Sequence, residues 1–249
     1  NSYIGLSPFS ITNLITTNKS GFMKKFFRFS ALIITGLLLS LPSHAKDYLY
    51  DFDYGALIYV SAGKDVCKNL NVQVQADLWL NDNFKGYERF MPSATLTYTV
   101  IPKYLKAMVY YAYFNQEGKS GKKDVHQHRY QVGLTGSYAT PHLNFSLCSK
   151  FEQTHKDGIP NNKWRNQVKI TGTIAKENPW KPFVSVEIFE AMNSMNPTGT
   201  VGIERIRYEA GTNYAVNKLI SLEMKLRAER LTIKKQLYSS VGIGVKFNL

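Results

Sequence analysis

The sequence predicts an all-β protein: a transmembrane, antiparallel, up-and-down β-barrel of about 10–12 strands, preceded by a cleaved signal peptide. Three observations predict it. The first is Leu219 to Arg230, LISLEMKLRAER, which has the composition of a helix but the pattern of a strand. Ile220, Leu222, Met224, Leu226 and Ala228 alternate strictly with Ser221, Glu223, Lys225, Arg227 and Glu229. Only a period of two puts these sets on opposite faces; wound as a helix, the charges would scatter all round. The second is that nearly every segment from Tyr48 to Leu249 repeats this alternation. The third is an export address near the front of the chain.

That address begins at Met23. Met23-Lys24-Lys25-Phe26-Phe27-Arg28 is a basic start, Ala31 to Leu41 an apolar run, and Ser43-His44-Ala45 carries small residues at the positions a signal peptidase reads. The run is too short for a bilayer core that needs about 20 residues. Residues 1–22 read as an upstream extension without function, 23–45 as the signal peptide, and 46–249 as the barrel. No cysteine directly follows the cleavage point, which argues against a lipoprotein.

The chain carries 31 Lys and Arg against 18 Asp and Glu. Lys19, Lys24, Lys25 and Arg28 precede the cleavage point, so the exported part keeps 27 basic residues and a charge of +9. Export removes nucleic acid as a partner for this charge. The anionic phosphates of outer-membrane lipid and lipopolysaccharide are the better match. Cys67 and Cys148 could form one disulfide, but spacing does not establish it, and Cys148 also fits as a small strand residue.

The strands follow in order. Tyr48, Tyr50, Phe52, Tyr54, Ala56, Ile58 and Val60 oppose Asp51, Asp53, Gly55 and Ser61. Leu70, Val72, Val74, Ala76, Leu78 and Leu80 oppose Asn71, Gln73, Gln75 and Asp77, with Trp79 as the exception. Ala94, Leu96, Tyr98 and Val100 oppose Ser93, Thr95, Thr97 and Thr99. Leu105, Ala107, Val109, Tyr111 and Tyr113 oppose a weaker face that includes Lys106. Tyr130, Val132, Leu134 and Tyr138 oppose Arg129, Gln131, Thr135 and Ser137.

The second half is as regular. Leu143, Phe145, Leu147 and Phe151 oppose Asn144, Ser146, Lys150 and Glu152. Trp164, Val168, Ile170 and Ile174 oppose Arg165, Gln167, Lys169, Thr171 and Thr173. Val184, Val186 and Ile188 oppose Ser185 and Glu187. Ile206, Tyr208, Ala210, Tyr214 and Val216 oppose Arg205, Arg207, Glu209 and Asn213. After the 219–230 strand, Val241, Ile243, Val245, Phe247 and Leu249 oppose Gly242, Gly244, Lys246 and Asn248.

Tight turns at 101–104, 139–141 and 216–218 alternate with longer polar stretches at 116–127, 155–163 and 193–200, the rhythm of periplasmic turns and outer loops. Eleven strands can be counted. A barrel with both termini in the periplasm needs an even number, so twelve, with a second short N-terminal strand, or ten, without one weak segment, is expected.

The faces decide between a membrane barrel and a soluble sandwich. The apolar faces are wide and ringed by Tyr, Phe and Trp, as a lipid-facing band with interfacial aromatics requires. The polar faces carry Arg129, Lys150, Arg165, Lys169, Arg205, Arg207, Lys225, Arg227 and Lys246 against Asp51, Asp53, Asp77, Glu152, Glu187, Glu209, Glu223 and Glu229. Such near balance suits a narrow lumen, where facing charges must be paired or hydrated.

The richest constellation is Glu187, Arg205, Arg207, Glu209, Glu223, Lys225, Arg227 and Glu229, with Arg165 and Lys169, all expected in the lumen. It reads first as an ion-pair plug that holds a narrow barrel rigid, serving structure or binding. The alternative is a selectivity ring or a site for a small anionic solute, making the protein a small diffusion pore. A rim lipid hydrolase or acyltransferase is the remaining alternative. His155, near Glu152 and Asp157, is its only plausible base, and no serine context marks a nucleophile, so no catalytic residue is assigned. His126 and His128 lack a third ligand and read as loop histidines; no metal and no cofactor are expected.

Several motifs extend the reading: Lys68-Asn69-Leu70-Asn71-Val72, Tyr87-Glu88-Arg89-Phe90, Trp164-Arg165-Asn166, Pro182 to Phe189 (PFVSVEIF) and Glu204 to Gly211 (ERIRYEAG). With the early aromatic strand and the 219–230 strand, they make the chain from about Asp51 onward resemble the uncharacterised outer-membrane family known as domain of unknown function 2490. The resemblance implies an outer-membrane barrel of the Bacteroidota kind without an established activity. One departure is the ending Lys246-Phe247-Asn248-Leu249, where the barrel-assembly machinery commonly reads a terminal aromatic.

Overall fold

The computed structural model describes residues 52–81, 86–116, 125–156, 159–173, 177–193, 201–232 and 236–249. The extension 1–22, the signal peptide 23–45 and Asp51 lie outside the described residues, as does the side chain of Asp53. The described chain is built of eleven strands: β1 Phe52–Cys67, β2 Leu70–Asn81, β3 Gly86–Ile101, β4 Leu105–Gln116, β5 Val125–Ala139, β6 Leu143–Lys156, β7 Ile159–Gly172, β8 Trp180–Ala191, β9 Gly202–Ala215, β10 Ile220–Leu231 and β11 Gln236–Asn248. Each pairs with its sequence neighbours, and β1 closes on β11, so the sheet has no free edge.

Alternation drives this arrangement. An alternating strand offers one apolar face to lipid, and closure satisfies its backbone without water. The shortest strands have twelve residues. At roughly 3.4 Å per residue and a tilt near 45°, they still rise about 29 Å, enough for an apolar band about 25 Å tall.

Among the described residues the strand number is eleven, as counted from the sequence, and odd, which corrects the expectation that parity would make it ten or twelve. Ten of the eleven pairings are antiparallel, but β1 and β11 run side by side in parallel, from Phe52 beside Leu237 to Gly63 beside Asn248. Parallel closure removes the parity requirement, because it lets the first and last strands run in the same direction. The chain therefore enters the barrel at one rim and leaves it at the other.

Two expected boundaries also move. The stretch 155–163 is not a long loop: β6 runs through to Lys156 and β7 begins at Ile159. His155 and Pro160 pair across this hairpin. The third strand begins at Gly86, seven residues before Ser93, and carries Arg89 and Met91 into the wall.

Every strand shows an apolar exterior. Val109, Val132, Leu147, Leu226 and Ile243 are each more than half exposed, and such a continuous apolar surface marks contact with lipid or partner. The lumen is the buried side. Near β3 and β4 it is apolar, with Met91, Ala112 and Phe114 packed together against Tyr110. Elsewhere it is charged, with Glu152, Arg165, Glu187, Glu223, Arg227 and Glu229 all buried. Cys67 and Cys148 are free thiols.

Candidate functional site

Strand register writes the lumen charges as opposites. Glu187 on β8 faces Arg207 on β9, which faces Glu229 on β10; Glu209 on β9 faces Arg227 on β10. Directly opposed side chains lie within reach of each other, so a one-residue slip would turn every pair to the lipid side.

The resulting network is continuous. Arg165 Nη1 donates to Glu152 at 2.5 Å, and its Nε and Nη2 both donate to Glu187 Oε1, at 3.0 and 2.7 Å. Glu187 also takes Arg207 Nη1 at 3.1 Å and Lys150 Nζ at 3.1 Å. Arg207 Nε passes the chain to Glu229 at 2.7 Å, and Arg205 Nη1 meets the same carboxylate at 3.0 Å. Arg227 donates twice to Glu209, from Nε at 2.7 Å and Nη2 at 2.6 Å. Lys246 and Lys225 hold Glu223 at 2.5 and 3.1 Å. Charge-assisted, partly bidentate bonds of this kind fix geometry as well as charge.

The ten lumen residues expected from the sequence divide accordingly. Nine join the ion pairs. Lys169 instead lies over the Phe183 ring, its Nζ 4.0 Å from the centroid.

Three aromatic rings also build the interior. Phe189 is 1% exposed and has three guanidinium groups around it, those of Arg165, Arg205 and Arg207, at 4.3, 4.4 and 4.8 Å. Trp79 lies between Arg89 and Arg227, at 4.6 and 4.7 Å. Arg129 covers Phe114 at 4.8 Å. Cations over ring faces are attracted by the ring quadrupole, more strongly when desolvated. Bulges adjoin two of these rings, between Trp79 and Leu80 and between Phe189 and Glu190, and such irregularities re-aim side chains.

Glycines make the remaining room. Tyr59 faces Gly244 across the seam, and a Cβ at 244 would overlap its ring. Lys225 lies between Gly211 and Gly242; a Cβ at 242 would come within 2.8 Å of its Cγ.

Sequence reasoning missed several of these groups. Arg89 lay in a quoted motif ahead of the expected strand, and Lys163 in an expected loop. Lys163 pairs with Glu204 at 2.5 Å. Extending the alternation backward from Ser93 and from Trp164 would have placed both inside. With them, Glu204 joins the described charges of the lumen. Among the inward aromatics, Trp79 was visible only as an exception, and Phe114, Phe183 and Phe189 had no polar signal at all.

Of the alternative rim arrangement around His155, the described residues His155 and Glu152 lie on opposite faces of β6. Glu152 points into the lumen, bound by Arg165 and Gln131, while His155 faces outward with its ring edge-on to Tyr130 at 5.9 Å. Asp157 lies outside the described residues. His126 and His128 are on the outer face, hydrogen-bonded through Nδ1 to Tyr113 Oη at 2.6 Å and Tyr111 Oη at 2.9 Å. They belong to β5, which corrects their reading as loop histidines.

A closed barrel with an apolar exterior on every strand and a buried, paired, charged interior is a β-barrel of the outer-membrane type. The chain belongs to the family described as Protein of unknown function (DUF2490), whose model matches residues 57–232. Among solved structures it is similar to LpxR from Salmonella typhimurium, at a TM-score of 0.46 and 10% identity over 72% of this chain and 83% of that one. It is likewise similar to a NanC porin, at a TM-score of 0.49 and 12% identity over 79% of this chain and 99% of that one. No curated protein matches the sequence.

Proposed function

We propose that the protein is an integral outer-membrane barrel whose lumen is closed by paired charges and acts in structure or ligand binding. The observation that carries this reading is the buried chain of pairs from Glu152 through Arg165, Glu187 and Arg207 to Glu229, which spans β6 to β10 across the interior. An interior of eleven strands lies between the eight-stranded barrels that side chains fill and the 16-stranded porins that hold an aqueous channel. Here the side chains supply the filling. The partners that fit are outer-membrane lipid and lipopolysaccharide at the exterior, and the barrel-assembly machinery during insertion.

The test combines two measurements on protein from outer-membrane fractions. Boiled and unboiled samples should differ in gel mobility, and the unboiled protein in a planar bilayer should show no steady conductance. Steady conductance that changes ion selectivity when Arg205 and Arg207 are both replaced by Ala would replace this reading with a small pore. A soluble protein without a mobility shift would overturn the membrane assignment itself.

A further inference from the structure

The lumen holds a cavity with two unlike walls. Its volume is about 250 Å³, room for about eight waters at roughly 30 Å³ each. On the side of β1 to β4 the wall sets Leu57, Trp79, Met91 and Met108 beside Gln75, Asp77 and Arg89; on the side of β5 to β10 it is mainly cationic, with Gln131, Glu152 and Phe189 among the basic groups. Six arginines and two lysines line the cavity against two carboxylates, Asp77 and Glu152. Glu152 is already engaged by Arg165 and Gln131, and Asp77 takes a hydrogen bond from Gln75 at 2.6 Å. Glu88, Glu229 and Glu209 are outside the lining and pair with Arg89 at 3.1 Å, Arg205 at 3.0 Å and Arg227 at 2.6 Å.

The hydrogen-bond inventory is equally one-sided. Five buried N–H groups of lining residues have no acceptor among the described residues: Trp79 Nε1, Arg89 Nε, Arg129 Nε, Arg205 Nε and Arg227 Nη1. Arg129 Nε and Arg227 Nη1 keep only ion-pair distances, 3.5 Å to Glu152 and 3.8 Å to Glu229. Arg227 is 8% exposed. Buried donors without acceptors are costly, and a carboxylate or phosphate oxygen accepts several at once. Water can satisfy donors singly, but it cancels none of the surplus charge.

We propose that this cavity binds a small organic oxyanion, its charged group held by Arg89, Arg129, Arg205 and Arg227 and its apolar body against Trp79, Met91 and Met108. The proposal rests on the reading of the lumen as a binding compartment, and it names the ligand class. An inorganic anion would leave the apolar wall unused; a cation would leave the donors unmet, and a neutral solute would bring no charge to the arginines.

Trp79 is itself the probe. Of the three tryptophans, Trp164 and Trp180 are on the outer side, so a Trp164→Phe/Trp180→Phe protein reports from the cavity alone. The folded protein in detergent is titrated with cyclohexanecarboxylate at ionic strength held constant with chloride. Acetate and cyclohexylmethanol are the comparisons, the first lacking the apolar body and the second the charge. The expected result is a saturable change in Trp79 emission, at least tenfold weaker apparent affinity for acetate, and no saturation with the alcohol. Arg89→Gln/Arg129→Gln should weaken binding at least tenfold; Glu152 keeps Arg165 and Gln131 in this variant, so the network survives. Calorimetry on the unsubstituted protein makes the same ligand comparison should a variant fail to fold.

A protein that keeps its mobility shift but shows no saturable response to cyclohexanecarboxylate overturns the proposal and leaves the barrel reading intact. An equal response to the alcohol, or unchanged affinity in a folded Arg89→Gln/Arg129→Gln variant, overturns it as well. Loss of the mobility shift in the unsubstituted protein would instead defeat the barrel reading.

Discussion

Arg165 grips Glu187 with two nitrogens on one oxygen, Nε at 3.0 Å and Nη2 at 2.7 Å. The residues sit on adjacent strands, offset by one diagonal step, since Gln167 is the residue facing Glu187. The third guanidinium nitrogen reaches Glu152 on β6, so a single side chain ties three strands together inside the lumen.

Removing Arg165 leaves Glu152 and Glu187 buried with less compensation. Breaking a buried pair by deleting one partner costs about 3–5 kcal/mol. Arg165→Ala should therefore lower the temperature at which the compact gel band converts to the unfolded one. A conversion temperature equal to that of the parent would show that the network does not stabilise the barrel.

Phe189 is the ring on which three arginines rest. Phe189→Ala removes a fully buried aromatic and should cost about 3–5 kcal/mol, read in the same conversion experiment. Phe189→Leu keeps much of the volume and loses the ring face, so it should fall between the parent and the alanine variant. A leucine variant as stable as the parent would mean that packing volume alone matters there.

Gly244 should not tolerate a side chain. Tyr59 lies where a Cβ would go, and overpacking of this kind costs about 1–3 kcal/mol. Gly244→Ala is expected to destabilise, and Tyr59→Ala in the same chain to relieve the overlap. A double-mutant cycle measures this coupling; additive effects would contradict it.

The outer face yields a depth-dependent test. Val132 is at the middle of β5 and half exposed, whereas Tyr138 is near its end. Arginine at the bilayer midplane costs about 2–4 kcal/mol, falling to about 0–1 near the interface. Val132→Arg should thus destabilise the protein in liposomes much more than Tyr138→Arg. In a soluble protein two exposed positions would respond alike, so equal costs would argue against lipid on this face.

Much of the wall was legible before the structure. The period of two on each segment told which residues face out, because lipid on one side and charges on the other leave few exceptions. Arg205, Arg207, Glu209 and Arg227 were placed in the lumen on that ground alone. What could not be read was the filling. Phe114, Phe183 and Phe189 are inward because guanidinium and ammonium groups need ring faces in a narrow space, and hydropathy registers an aromatic as apolar wherever it points. Eleven strands could be counted, but how an odd number closes could not be read: parity follows from the direction of the closing strand, and no local pattern encodes whether β1 meets β11 in parallel. Arg89 and Lys163 were lost at strand ends, where loop-like composition masks continued pairing.

The parallel seam has a consequence for topology. Because the described wall crosses an odd number of times, Phe52 and Asn248 lie at opposite rims, and protease added to intact cells should reach a cleavage site inserted at one and spare a site inserted at the other. Parallel ladders are also slightly weaker per residue than antiparallel ones. The β1–β11 seam pairs twelve residues, against nine between β7 and β8, so its length offsets that weakness and closure costs the cylinder little.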